Sequence, residues 1–135
     1  MNWRLIIALS LFGVVMAVAG LLGLTRGTEP LLWLVIFIIY AICIAQYAGG
    51  KYFLHGFLAS LLNGVWIAII HFAFFPMFLR NNPDVAASFQ KFPAPISLRF
   101  LNLIIGPVAG ALFGIVAGLF AFVAAKLLRK NPAVV

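Results

Sequence analysis

Acidic side chains are almost missing from this chain: Glu29 and Asp84 are the two in 135 residues. Neither lies inside an apolar stretch, and that removes whole classes of membrane chemistry. A carboxylate-driven antiporter, a proton-coupled carrier of the usual kind or a rhomboid-like hydrolase needs groups that are not there. Cysteine is single. Cys43 leaves no internal disulfide and no C-x-x-C redox pair, and it reads as a small buried hydrophobe. There is no Gly-rich phosphate loop, no H-E-x-x-H and no Ser/His/Asp constellation. The chain is therefore read as no enzyme, with no catalytic residue, no metal ligands and no cofactor. Charge of either sign is thin. Only 8% of residues are charged, against about 25% in a soluble domain.

Apolar sequence fills the space. Hydrophobic residues make up 66% of the chain, and the mean hydropathy is +1.21. Four stretches carry no charge: 5–25, 30–50, 52–79 and 100–125, with lengths of 21, 21, 28 and 26 residues. A bilayer core of about 30 Å needs roughly 20 apolar helical residues. The composition thus predicts an all-α, integral membrane four-helix bundle in one transmembrane domain, residues 1–135. Arg4, an apolar run and the triplet Ala17-Val18-Ala19 resemble a signal peptide. The run continues to Leu24, so it is read as an uncleaved span.

Punctuation residues place the elements. Spans are expected over about 3–24, 31–48, 53–79 and 98–128. Thr25 to Pro30 makes the first turn. Gly49-Gly50-Lys51 makes the second, which predicts that the second and third helices are antiparallel neighbours. The third stretch is too long, since 28 residues at 1.5 Å each span about 42 Å. Either it tilts, or Pro76 ends its regular part early. In the third connection, Asn82-Pro83-Asp84 reads as a helix start, with Asn82 as N-cap. Val85, Phe89 and Phe92 follow at helical spacing. A short amphipathic surface helix over about 83–92 is predicted, ended by Pro93 and Pro95; an irregular proline-rich loop is the other reading.

The net charge is +7, but the cations sit in connections and at the ends. They form no basic stripe with interleaved aromatics, so nucleic acid is not an expected partner. Arg80, Lys91, Arg99, Lys126, Arg129 and Lys130 are read as lipid head-group contacts. Arg4, Lys51, Lys126, Arg129 and Lys130 fall on one side of the membrane, and Arg26, Arg80, Lys91 and Arg99 on the other. This bias of five to four puts both termini in the cytoplasm.

Glycine is the strongest pattern. Gly106, Gly110, Gly114 and Gly118 recur every fourth residue, and Gly56, Ser60, Gly64 and Ala68 do the same in the third stretch. Such glycine-zipper ridges let backbones approach closely and gain dispersion contacts. They suit packing of the third helix on the fourth within one chain, the preferred reading, and also a homo-oligomer interface or pore lining. Pro107 lies inside the last stretch, as a kink or as a break that bares carbonyls for a ligand. Asn63 and His71 are polar residues at membrane depth, with Tyr40, Gln46, Cys43 and Tyr47 as possible partners on the second helix. These form a possible polar site, or simply interhelical hydrogen bonds. His55 and His71 point to nearly opposite faces and cannot share one metal.

The run Gly49-Gly50-Lys51-Tyr52-Phe53-Leu54-His55-Gly56-Phe57, the later Asn82-Pro83-Asp84 and the ending Leu127-Leu128-Arg129-Lys130-Asn131-Pro132 resemble a family of small four-span bacterial membrane proteins of unknown function, the DUF4199-type family. That resemblance implies a four-span inner-membrane protein and supplies no site residues. Two functions are compatible with the sequence. One is a non-catalytic accessory subunit of a membrane complex or a self-associating scaffold. Its partners would be the lipid bilayer and other membrane subunits or itself. The other is a small homo-oligomeric channel or carrier with a pore near Asn63, His71 and the Gly106–Gly118 helix.

Overall fold

Residues 1–91 and 97–129 are described by a computed structural model. They form six helices: α1 (Trp3–Leu21), α2 (Glu29–Tyr47), α3 (Tyr52–Ala73), α4 (Phe75–Asn81), α5 (Pro83–Gln90) and α6 (Leu98–Arg129). The described residues contain no strand. Helices α1, α2, α3 and α6 are long and apolar enough to cross a membrane. The far end of the expected surface helix, including Phe92, and the head-group candidate Lys130 lie outside the described residues.

Local chemistry sets the helix ends. The Asn2 side chain accepts from the Leu5 amide at 3.2 Å and opens α1. Its other end is a Schellman turn. Gly23 stands at φ +72°, the Gly23 amide donates to Gly20 O at 3.0 Å, and the Leu24 amide donates to Ala19 O at 2.9 Å. The helix therefore stops at Leu21, short of the Leu24 expected from hydropathy. Only glycine fits there, because a Cβ on Gly23 would sit 2.6 Å from Asn81 O. The α2–α3 turn runs through three left-handed residues, Gly49, Gly50 and Lys51.

The third apolar stretch is two helices rather than one span over 53–79. Phe74 leaves helical geometry at φ −114°, ψ 33°, and α4 restarts with Pro76 in its first turn. Proline removes the amide that would have bonded Phe72 O and disfavours helix at the residue before it. Pro107, by contrast, sits within a continuous α6.

The packing order differs from the order along the chain. Helix α3 is central, lying antiparallel along α6 and parallel to α1, while α2 packs chiefly on α6. The short turn does not make α2 and α3 close neighbours. A two-glycine turn fixes direction only. The lateral partner is chosen by which faces permit the closest approach. On α3 and α6 those faces are small: Gly56, Ala59, Ser60, Gly64 and Ala68 are buried on one, and Gly110, Gly114, Ala117, Gly118, Ala121 and Ala125 on the other. Larger side chains fill the space between α1, α2 and this pair, with Ile6, Leu9, Met16, Ile36, Phe37, Tyr40 and Ile44 in one cluster. The outward faces are apolar as well, including Leu112, Leu119 and Leu127, as a helix surrounded by hydrocarbon requires.

Helix α5 buries none of its residues. Val85 and Phe89 rest against a small cluster of Leu21, Phe75 and Phe78. Pro83 and Asp84 occupy its first turn, as their residue types favour. The Asn82 side chain does not cap this helix. It turns inward instead and donates to Gly20 O at 2.8 Å and Phe78 O at 2.9 Å.

Candidate functional site

The small faces of α3 and α6 touch through backbone. A Cβ added to Gly56 would lie 2.6 Å from Ala117 O, and one on Gly110 would lie 2.9 Å from Ser60 O. One on Gly64 would collide with the Gly106 carbonyl, and one on Gly106 would meet Gly64 O and Ala68. Gly114 and Gly118 lie against Phe57 and Phe53. The Ser60 hydroxyl donates to Gly110 O at 3.1 Å across the seam. Both ridges are thus occupied by each other inside a single chain.

The bundle centre is a hydrogen-bonded chain across three helices. Asn63 Oδ1 accepts from the Gly13 amide of α1 at 3.0 Å. Asn63 Nδ2 donates to the Tyr40 hydroxyl of α2, and that hydroxyl donates to Leu9 O of α1 at 2.7 Å. Leu9 O and the Gly13 amide are the two ends of one i to i−4 helical link, so the side-chain loop clasps a single turn of α1. Gly13 is necessary to it, because a Cβ there would lie 2.6 Å from Asn63 Cα. Nearby, Trp66 Nε1 donates to Ser10 Oγ at 3.1 Å, and Ser10 Oγ donates to Ile7 O.

Asn63 and Tyr40 therefore meet, while the other two members of the expected polar site do not join them. His71 lies further along α3, donates from Nε2 to Ala17 O at 3.1 Å, and stacks on Phe78 at 4.1 Å. Gln46 is exposed on α2. It is six residues from Tyr40, a rotation of about 240° that carries it to another face. His55 is at the opposite end of α3. Its Nδ1 donates to Lys51 O and its Nε2 accepts from the Asn2 amide.

The cations divide in a way their positions did not indicate. Arg80, Lys91, Lys126 and Arg129 are exposed, and Lys126 and Arg129 lie over the rings of Phe122 and Tyr52. Arg99 is half-buried and turned inward rather than held out for head groups. Its Nε donates to Phe72 O at 2.7 Å, the carbonyl that Pro76 deprives of a partner. Its guanidinium also covers the Phe72 ring at 4.5 Å. The positive charge stands at the negative end of the α3 dipole.

Sequence reasoning passed over Asn102. Its Nδ2 is buried with no hydrogen-bond partner among the described residues, beside a hollow of about 170 Å³ between α2, α3 and α6. The signal was present, since Asn102 continues the Gly106–Gly118 series one step toward the start of α6. Asn81 was also missed; it donates to Leu21 O at 2.9 Å and helps close the end of α1. No family model, no curated protein and no solved structure matches the chain.

Proposed function

We propose that this protein is a non-catalytic integral membrane protein, an accessory subunit of a larger membrane complex or a self-associating scaffold. The observation that carries this reading is the engagement of polar groups at depth. Asn63, Tyr40, Ser60, Trp66 and His71 each bond a helix other than their own, four of them α1 and Ser60 α6. Such bonds fasten helices together. A conducting pore or carrier site needs polar groups free to exchange water or cargo, and the residues considered for one, Asn63, His71 and the Gly106–Gly118 face, are held by neighbours. The channel or carrier reading therefore ranks second.

A bacterial inner membrane, with both termini in the cytoplasm, is the setting we propose. It rests on the resemblance to the four-span DUF4199-type family and on the charge bias across the membrane. The deciding experiment is mild detergent extraction followed by native mass measurement. Larger membrane subunits are expected to accompany the chain, or a self-assembly that carries no current when reconstituted in planar bilayers. A homo-oligomer that conducts would overturn the reading. C-terminal reporter fusions active only in the periplasm would reverse the orientation.

A further inference from the structure

The seam between α2 and α6 is apolar along its length and opens at one polar point. Three hollows adjoin along it. The innermost is bounded by Asn102, Gly106 and Phe113 of α6, Asn63 and Ile67 of α3, and Trp33 of α2. It shares Trp33 and Phe113 with a groove of about 420 Å³ that continues past Phe37 to Phe120. That groove shares Phe120 with a third, of about 470 Å³, reaching Leu127.

At the head of this track stands the Asn102 amide. Within the innermost hollow Ser60 is engaged with Gly110 O, and Asn63 with Gly13 and Tyr40, while Glu29 is exposed at its mouth. Among the described residues, Asn102 Nδ2 is buried there without a partner. An unpaired donor in hydrocarbon is costly, and what it lacks is an acceptor oxygen. The apolar walls call for a neutral acceptor attached to a hydrocarbon tail.

Depth narrows the choice. Asn102 is four residues, about 6 Å, inside the first residue of α6. Glu29, which also borders the hollow, and Arg99 mark the level of the head groups. The ester carbonyls of a glycerolipid lie at that boundary between head group and chain. From Asn102 to Phe113 the helix rises about 17 Å, close to one leaflet of a ~30 Å core. The geometry points to a lipid site: one acyl chain of a glycerolipid lies in the α2–α6 seam, its ester carbonyl oxygen accepting from Asn102 Nδ2. A quinone ring offers the same carbonyl chemistry, and a hollow of about 170 Å³ admits a benzene-sized group. The place of Asn102 at the head-group boundary, where ester carbonyls lie, favours the acyl chain.

The test uses the full chain purified in a mild detergent, with bound molecules counted by native mass spectrometry and identified after organic extraction. One glycerolipid per chain is expected. Asn102→Leu keeps the shape and removes the donor, so it should retain the lipid about tenfold less well, the worth of one hydrogen bond at the upper end of its range. Ala109→Phe leaves the amide in place and fills the hollow, so it should lose the lipid too. Adding phosphatidylethanolamine should raise the melting temperature of the wild type and not that of Asn102→Leu. Three results would each overturn the assignment: a wild type that carries no lipid and does not respond to it, equal retention by wild type and Asn102→Leu, or a quinone in the extract in place of the glycerolipid.

Discussion

Asn63 acts through both ends of its amide. The oxygen holds the Gly13 amide, and the nitrogen holds Tyr40, which holds Leu9. Single hydrogen bonds between membrane helices average about 0.6 kcal/mol and reach about 1.7. Asn63→Leu removes two of them and is expected to destabilise by about 1–3 kcal/mol. Tyr40→Phe leaves Asn63 Nδ2 unpaired and should cost about 1 kcal/mol. Because the bonds form one chain, the double variant should lose about 1 kcal/mol less than the sum of the singles. Unfolding of the four proteins in one detergent measures this, and strict additivity would mean that the bonds act separately. The sequence marked Asn63 and Tyr40 as polar at depth. It did not reveal that their main partner is the backbone of α1, because that contact depends on the missing side chain of Gly13. The same contact raises the importance of Gly13. A Cβ at Gly13 meets Asn63 Cα at 2.6 Å, and one at Gly114 meets Phe57 O at 2.9 Å.

Among the elements, the end of α3 depends on two residues far apart in sequence. Pro76 breaks the helix and frees Phe72 O, and Arg99 then bonds that carbonyl. A hydrogen bond to a charged donor contributes about 1.5–3 kcal/mol. Arg99→Met should lose most of that in the wild-type background. Where Pro76→Ala restores an amide for Phe72 O, the same change should cost clearly less. Equal losses in the two backgrounds, read from denaturant unfolding, would sever the link between the break and the cap. The break itself was legible: a 28-residue apolar run with a proline near its end is too long for one span. The role of Arg99 was not, because charge next to a span reads first as a head-group contact. The neighbours of α3 were hidden for a similar reason. Turn length shows which way a chain returns, while side-chain size on facing stripes decides which helix it lies against.

For the whole molecule, the arrangement is one central helix with its small face against α6 and its polar face against α1. Span number and polarity pattern were readable from hydropathy, since lipid imposes length and composition directly. The four-residue glycine series marked a close contact but left open whether it lies within one chain or between two copies, because the same ridge serves both. The most direct test is the unfolding free energy of Gly64→Ala beside the wild type in one detergent, each at two protein concentrations tenfold apart. A methyl group at Gly64 meets the backbone of Gly106 and Gly110, which cannot give way as a flexible side chain does. The account expects a loss of about 3 kcal/mol, the upper end for overpacking, and the same loss at both concentrations. A variant as stable as the wild type, or a loss that changes with dilution as an interface between chains requires, would contradict it.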